Sequence, residues 1–337
     1  MANIKNTIAF FTCSNGFGHF SRVINIAKFL VDDYNVTIYC EKSQYLKFKP
    51  DIQAEFIFYA IPNIRWDKSI NTNKVRFEEY LNWVDLYGPS SLKYDTVISD
   101  NIVGLLKFRK DTILTGSFLW RDVYLDKFGP NSITEFDDFF LELYNPVLCT
   151  NQYTETGTAK TYKNKFRTGF GFDHQKVNIW ENCNKVVCIE PSLKYSKGYL
   201  QFQDDFRILI EDKTTYTAST DITITDECIY VIRPGVGMLT HCVENRIPIV
   251  ALYSDNDSTE IMELADMIEQ LGIGIKHNIK LPFNVNKLSL LKQNTIYNNI
   301  SFKTNGYRDI SQFIIKWKWM KENENENSQL VLGDDNE

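Results

Sequence analysis

Paired cysteines are missing from this sequence. Its seven cysteines, Cys13, Cys40, Cys149, Cys183, Cys188, Cys228 and Cys242, are odd in number and include no Cys-x-x-Cys, so neither a zinc ribbon nor a disulfide framework fits their spacing. Most lie inside apolar, strand-like runs, where a cysteine is a small core residue, and a reducing cytoplasm is the compartment they suggest. Long apolar runs are missing too: none approaches the roughly 18 residues that cross a bilayer, and residues 1–6 carry no apolar signal region. Membrane association is therefore expected to be peripheral at most. Nor is there an excess of positive charge, since 37 basic and 43 acidic side chains leave a formal net charge of −6. That balance argues against a protein built to neutralise nucleic-acid phosphates or anionic lipid.

What is present is material for two cores. A chain of 337 residues, 43% of them hydrophobic, is long for one α/β domain and suits two. Residues 8–31, IAFFTCSNGFGHFSRVINIAKFLV, set the pattern. The apolar run Ile8 to Phe11 reads as a buried strand, a glycine turn through Gly16, Phe17 and Gly18 follows, and Val23, Ile26, Ala27, Leu30 and Val31 recur at helical spacing. Residues 36–40 complete a βαβ unit. The unpaired N–H groups and positive dipole end of such a helix start face an anion or a polar ligand. His19 therefore brings a titratable imidazole to a place where a ligand is expected.

Further strands are expected at 55–62, 96–100, 112–116 and 146–150. The polar, aromatic stretch 63–88 either lies near the ligand-binding ends of the strands or covers the sheet as an amphipathic helix. Asp100 ends its strand at the carboxyl edge, where an acid either caps the next helix or serves a ligand. Apolar periodicity weakens over 151–184, which puts the domain boundary near 170–183, and strands resume at 185–190, 206–210, 229–232 and 247–253. The turn Arg233-Pro234-Gly235-Val236-Gly237 opens a short helix, and a polar loop at 255–258 precedes an amphipathic helix through Ile261, Leu264, Ala265, Ile268 and Leu271 that Gly272 stops. Ile310, Phe313, Ile314 and Trp317 mark a last helix. From residue 322 onward the chain is acidic and low in complexity, and disorder is expected.

A Gly-x-Gly turn after the first strand, with Glu41 at the end of the second, begins a dinucleotide fingerprint, but Ser21 stands where its third glycine belongs and a histidine follows the second. Gly16, Gly18, His19 and Arg22, taken with the Arg233 to Gly237 turn in a second Rossmann-like half, instead resemble the nucleotide-sugar glycosyltransferases of the GT-B fold. The bacterial peptidoglycan N-acetylglucosaminyl transferase group is the nearest resemblance. It extends over residues 5–320 and is carried by those two motifs.

The resemblance implies an α/β chain of GT-B architecture, two Rossmann-like domains facing a central cleft. Residues 1–170 would form the acceptor domain, 171–183 a linker, 184–308 the donor domain, 309–321 a helix packing back on the first domain, and 322–337 a disordered tail. It also implies a nucleoside diphosphate sugar, UDP-linked, as co-substrate, with no further cofactor, no metal and no nucleic acid, and a glycan, lipid-linked or small-molecule acceptor. Matching donor-side positions are Arg233, Gly235, Val236, Gly237, Met238, Leu239, Thr240, His241 and Glu260. The chain departs from the family's pattern at three places: Glu260 stands where a glutamine is usual, His241 where an acid usually binds the ribose, and residues 190–193 where a glycine-rich turn usually opens the second domain. Gly16, Phe17, Gly18, Trp120 and Arg121 fall on the acceptor side. His19, of a residue type with an unperturbed pKa of about 6.5, is then the base for the acceptor hydroxyl, and Asp100 orients it. Direct displacement with that base implies inversion. Asp255 and Asp257 have the Asp-x-Asp spacing of a metal motif, yet their place fits a sugar-side loop better. A nucleotide-sugar hydrolase or epimerase, or a catalytically silent protein that binds a nucleotide sugar or glycan, would share these features.

Overall fold

The computed structural model describes residues 5–14, 17–49, 56–61, 73–175, 185–189, 228–281 and 300–331. Gly16, the expected strand at 206–210, the turn at 190–193 and residues 176–183 of the expected linker lie outside the described residues.

Seven parallel strands, β1 (Asn6–Thr12), β2 (Tyr34–Cys40), β3 (Ile57–Ala60), β4 (Thr96–Asp100), β5 (Ile113–Thr115), β6 (Leu148–Asn151) and β7 (Lys165–Thr168), form the first sheet in the order β3-β2-β1-β4-β5-β6-β7. Helices α1 (Phe17–Ala27), α2 (Lys42–Phe48), α3 (Asn73–Tyr87), α4 (Trp120–Phe128), α5 (Ser132–Tyr144) and α6 (Thr158–Thr161) belong to the same half. Its central strands have helices on both faces and so read as continuous apolar runs rather than alternating ones. Phe10 of β1 packs on α1 with Phe20 and Val23, while Phe11 packs on the opposite face with Tyr80 and Trp83 of α3. The strand order reverses between β1 and β4, and Thr12 and Asp100 are neighbours across that seam. A crevice opens at the carboxyl ends of the strands where an order reverses.

The second sheet is also parallel and has, among the described residues, four strands in the order β11-β10-β9-β8: β8 (Lys185–Ile189), β9 (Cys228–Ile232), β10 (Ile249–Tyr253) and β11 (Gly274–Asn278). Helix α7 (Val236–Glu244) follows β9 and α8 (Thr259–Gln270) follows β10. Strands β7 and β11 were not expected from the sequence. Both lie at sheet edges and are polar there: β7 turns Lys165 and Arg167 onto Glu155, at 2.8 and 2.9 Å. Such charges suit an edge and hide the apolar signal of a strand.

The last helix, α9 (Gly306–Val331), buries Ile310 and Ile314 in the core of the first sheet beside Phe20 and Ile26, and the Ser311 hydroxyl donates to the Ile26 carbonyl at 2.9 Å. It runs into the acidic stretch expected to be disordered from residue 322. Extending a nucleated helix through Glu, Gln and Leu costs far less than starting one. The chain passes between the two halves twice, at 169–172 and 302–306, and the two passages are bonded together: Phe170 N donates to Lys303 O (2.9 Å), Asn305 N to Phe172 O and Gly306 N to Phe170 O (both 2.8 Å). Tyr153, Phe170 and Phe302 pack their rings beside this ladder. Gly169 and Gly171 are required by close approach, since a Cβ would stand 1.9 Å from Lys303 O in one case and 2.0 Å from the Tyr307 ring in the other.

Candidate active site

At the seam between β1 and β4, three charged or titratable side chains converge. His19 lies in the first turn of α1 and Arg22 three residues on, so both project from one face of the helix. Asp100, at the carboxyl end of β4, is completely buried between them. Its Oδ2 is 2.7 Å from His19 Nδ1, and its Oδ1 accepts from Arg22 Nε (2.8 Å), Arg22 Nη2 (2.5 Å) and the Thr115 hydroxyl (3.1 Å). A carboxylate only accepts, which assigns the proton to Nδ1 and leaves Nε2 as the imidazole's acceptor. Burial alone would raise the Asp100 carboxyl, but the charges and hydrogen bonds of Arg22 and His19 outweigh it and hold the carboxyl below its usual range. For Arg22, burial works against the charge and Asp100 more than restores it.

The surroundings are aromatic. Phe118 meets the imidazole edge-on at 6.0 Å between centroids, and Trp120 lies 6.2 Å away. Trp120 is buried and spends its indole N–H on Cys13 Sγ at 3.2 Å, so it forms the wall behind His19. Arg121 is occupied elsewhere: its guanidinium donates to Asp122 (2.7 Å), Thr158 (2.6 Å) and Asp138 (2.8 Å) within the first domain. Phe17 is exposed, with the Lys47 ammonium 4.2 Å from its ring centre.

Across from α1 stands the start of α7. Gly235 is its N-cap, and the bond from Leu239 N to Gly235 O (2.9 Å) closes the first turn. The N–H groups of Val236, Gly237 and Met238 then lead out of the helix end. A methyl group on Gly237 would stand 3.9 Å from the Cα of Gly18, so the two glycine turns face each other at van der Waals distance. Leu239 is buried in the second core and Thr240 returns its hydroxyl to Val236 O at 2.8 Å. His241 stacks on Tyr230 of β9, 6.2 Å between centroids. Arg233 Nη2 lies 3.6 Å from Asp257 Oδ1, and Asp257 also accepts from Ser254 N at 2.8 Å.

Asp255 instead meets Lys280 (3.2 Å) and Asn278 (2.7 Å), so the two acids of the Asp-x-Asp pair go to different partners. Among the described residues no group of His, Cys, Asp or Glu side chains is arranged to hold a metal ion. Glu260, in the first turn of α8, is raised by burial, against the opposing influence of His19, Arg233 and Arg22, which places this acid between the two halves. The first domain grips the same helix: Asp126 accepts from Thr259 N (2.9 Å), and Glu263 accepts from Gly157 N (2.9 Å) and pairs with Lys160 (3.4 Å).

The structure thus brings together His19, Asp100, Gly18, Gly237, Arg233 and Glu260, and holds Arg121 and His241 in other contacts. Sequence reasoning assigned no role to Thr115, Asp126 or Glu263, counted Arg22 only within the glycine-turn motif, and set Asp257 in a sugar-side loop. For Arg22 the signal was present, because a cation three residues after a helical histidine shares its face.

No family model and no curated protein matches the chain, whereas solved structures do. The glycotransferase of kitacinnamycin aligns over 95% of this chain and 99% of its own, with a TM-score of 0.59 at 13% identity. The calicheamicin glycosyltransferase aligns over 99% and 100%, with 0.59 at 10% identity. A Phytolacca americana protein complexed with UDP-2fluoro-glucose and pterostilbene aligns over 93% and 99%, with 0.60 at 10% identity. None of these three names points to the peptidoglycan group expected from the motifs. At such identities the likeness concerns the fold: the chain has the GT-B architecture of two Rossmann-like domains.

Proposed function

We propose that this protein transfers a sugar from a nucleoside diphosphate sugar, UDP-linked, to an acceptor hydroxyl with inversion at the anomeric carbon. The observation that supports this most is the pairing of a carboxylate-oriented histidine with an open helix start across two touching glycine turns. His19 Nε2 accepts the acceptor's proton as its oxygen forms the new bond to the anomeric carbon, and Asp100 stabilises the imidazolium that results. On the far face of that carbon the bond to the diphosphate breaks, and the departing charge is received by the first-turn N–H groups of α7 and by Arg233. Attack and departure on opposite faces invert the centre. Glu260 accepts hydrogen bonds from the sugar hydroxyls. The Phytolacca americana structure, with a UDP-sugar analogue and a small phenolic molecule bound, supports a UDP-linked donor and a small-molecule acceptor.

The test is incubation with a panel of UDP-sugars, with and without candidate acceptors. Transfer that falls by about 10²–10⁴-fold in His19→Ala is expected. Free UDP and sugar released at equal rates with and without acceptor would make the protein a hydrolase, and near-normal turnover in His19→Ala would remove the base role.

A further inference from the structure

We propose that Arg22 is a positioning residue of this site, acting through Asp100 to fix the orientation and the charge state of His19. The proposal rests on the reading of His19 as the base.

Three donors, two from Arg22 and one from Thr115, converge on Oδ1 of Asp100. They prevent the carboxylate from rotating and reserve Oδ2 for the imidazole. Because α1 carries both His19 and Arg22, and its inner face is fixed by Ile24, Ile26 and the Ser311 contact from α9, the cation and the base move as one body.

The second effect is electrostatic. A completely buried carboxylate beside an imidazole favours the imidazolium, and an imidazolium cannot take a proton from an acceptor. Arg22 cancels that charge, and its Nη2 lies 3.2 Å from His19 Nδ1, where a second positive charge would be repelled. The other groups around the imidazole are Glu260 of α8, which faces it across the cleft, and the uncharged rings of Phe118 and Trp120. Arg22 is also faced by Tyr307 of α9 and Cys13 after β1. Arg22 is thus the cation nearest the His19–Asp100 pair.

The experiment is the pH dependence of kcat/KM for wild type, Arg22→Gln, Arg22→Lys, Asp100→Asn and the Arg22→Gln/Asp100→Asn double variant, each with a thermal melt. Arg22→Gln is expected to move the acid limb to higher pH by about one unit, because the anion is left unopposed. Asp100→Asn is expected to move it to lower pH, because the cation is left alone. Arg22→Lys keeps the charge and should restore the limb while kcat stays reduced through loss of the two-point grip. In the double variant the loss should match that of Asp100→Asn alone, as for residues that act as one unit.

A folded Arg22→Gln protein with the wild-type limb overturns the proposal. If that variant does not fold, Arg22→Lys and the double variant, which buries no lone charge, decide it: losses that add independently overturn it. An inactive His19→Ala beside an unmoved Arg22→Gln profile sinks this proposal alone, while an active His19→Ala sinks the base reading beneath it.

Discussion

The contact between the two glycine turns sets a limit on what residue 237 can be. A Cβ placed on Gly237 stands 3.9 Å from Gly18 Cα, ordinary van der Waals contact, so Gly237→Ala should fold and close as wild type does. A valine extends roughly 1.5 Å further, and its γ-carbons would have to enter the Gly18 backbone or push the two domains apart. The position also lies in the first turn of α7, whose outward N–H groups are the proposed diphosphate ligands. Losing one charge-assisted hydrogen bond there costs about 1.5–3 kcal/mol, which is roughly ten- to a hundredfold in affinity. Titration calorimetry with UDP should therefore give a several-fold weaker Kd for Gly237→Ala and at least a tenfold weaker one for Gly237→Val. Thermal melts should change little, because residue 237 is exposed and lies outside both cores. Wild-type UDP affinity in a folded Gly237→Val protein would refute the placement of the diphosphate at α7.

Asp137 of α5 is buried, and burial pushes its carboxyl up to about 8, against the hydrogen bond from the Tyr80 hydroxyl at 3.1 Å. The folded state therefore holds this proton more tightly than the unfolded chain, so the stability it contributes is complete below about pH 4 and is lost as pH rises towards 8, by up to about 1.4 kcal/mol per unit. Asp137→Asn should melt above wild type at pH 8, with the difference shrinking towards pH 4, and parallel melting curves would contradict this. Glu263→Ala removes the acceptor for Gly157 N and the partner of Lys160 at the grip on α8. It should raise the donor KM several-fold with a smaller change in kcat, and an unchanged KM would show that this contact does not help to close the cleft.

The parts of the molecule legible in the sequence are those whose cause is local. β1, β4 and β9 are buried on both faces and announce themselves as apolar runs. The two glycine turns and Asp100 could be placed because each ends a strand. What stayed hidden depends on distant partners. Arg22 is given its role by an acid 78 positions away, and Arg121, which had the look of a ligand, is taken up by Asp138 and Thr158, 17 and 37 positions on. Gly169-Phe170-Gly171 falls at the edge of the expected domain boundary, yet its glycines are there because Lys303 and Tyr307 press against them. Strands β7 and β11 escaped notice because edge positions admit lysine and arginine.

The double passage between the domains has a consequence for synthesis. Ile310 and Ile314 belong to the core built on β1 and α1, so that core cannot be completed when residues 5–168 have left the ribosome. The first domain must wait, with the groove beside Phe20 and Ile26 uncovered, until the whole second domain has emerged. The second domain, by contrast, closes within one continuous stretch of chain, and its folding brings residues 303–306 back to 170–172. The long loop that the first domain needs to close is then already shut, and α9 docks as a local event whose entropic cost has been met. A protein whose first-made domain is finished last depends for early solubility on whatever shields that groove during translation.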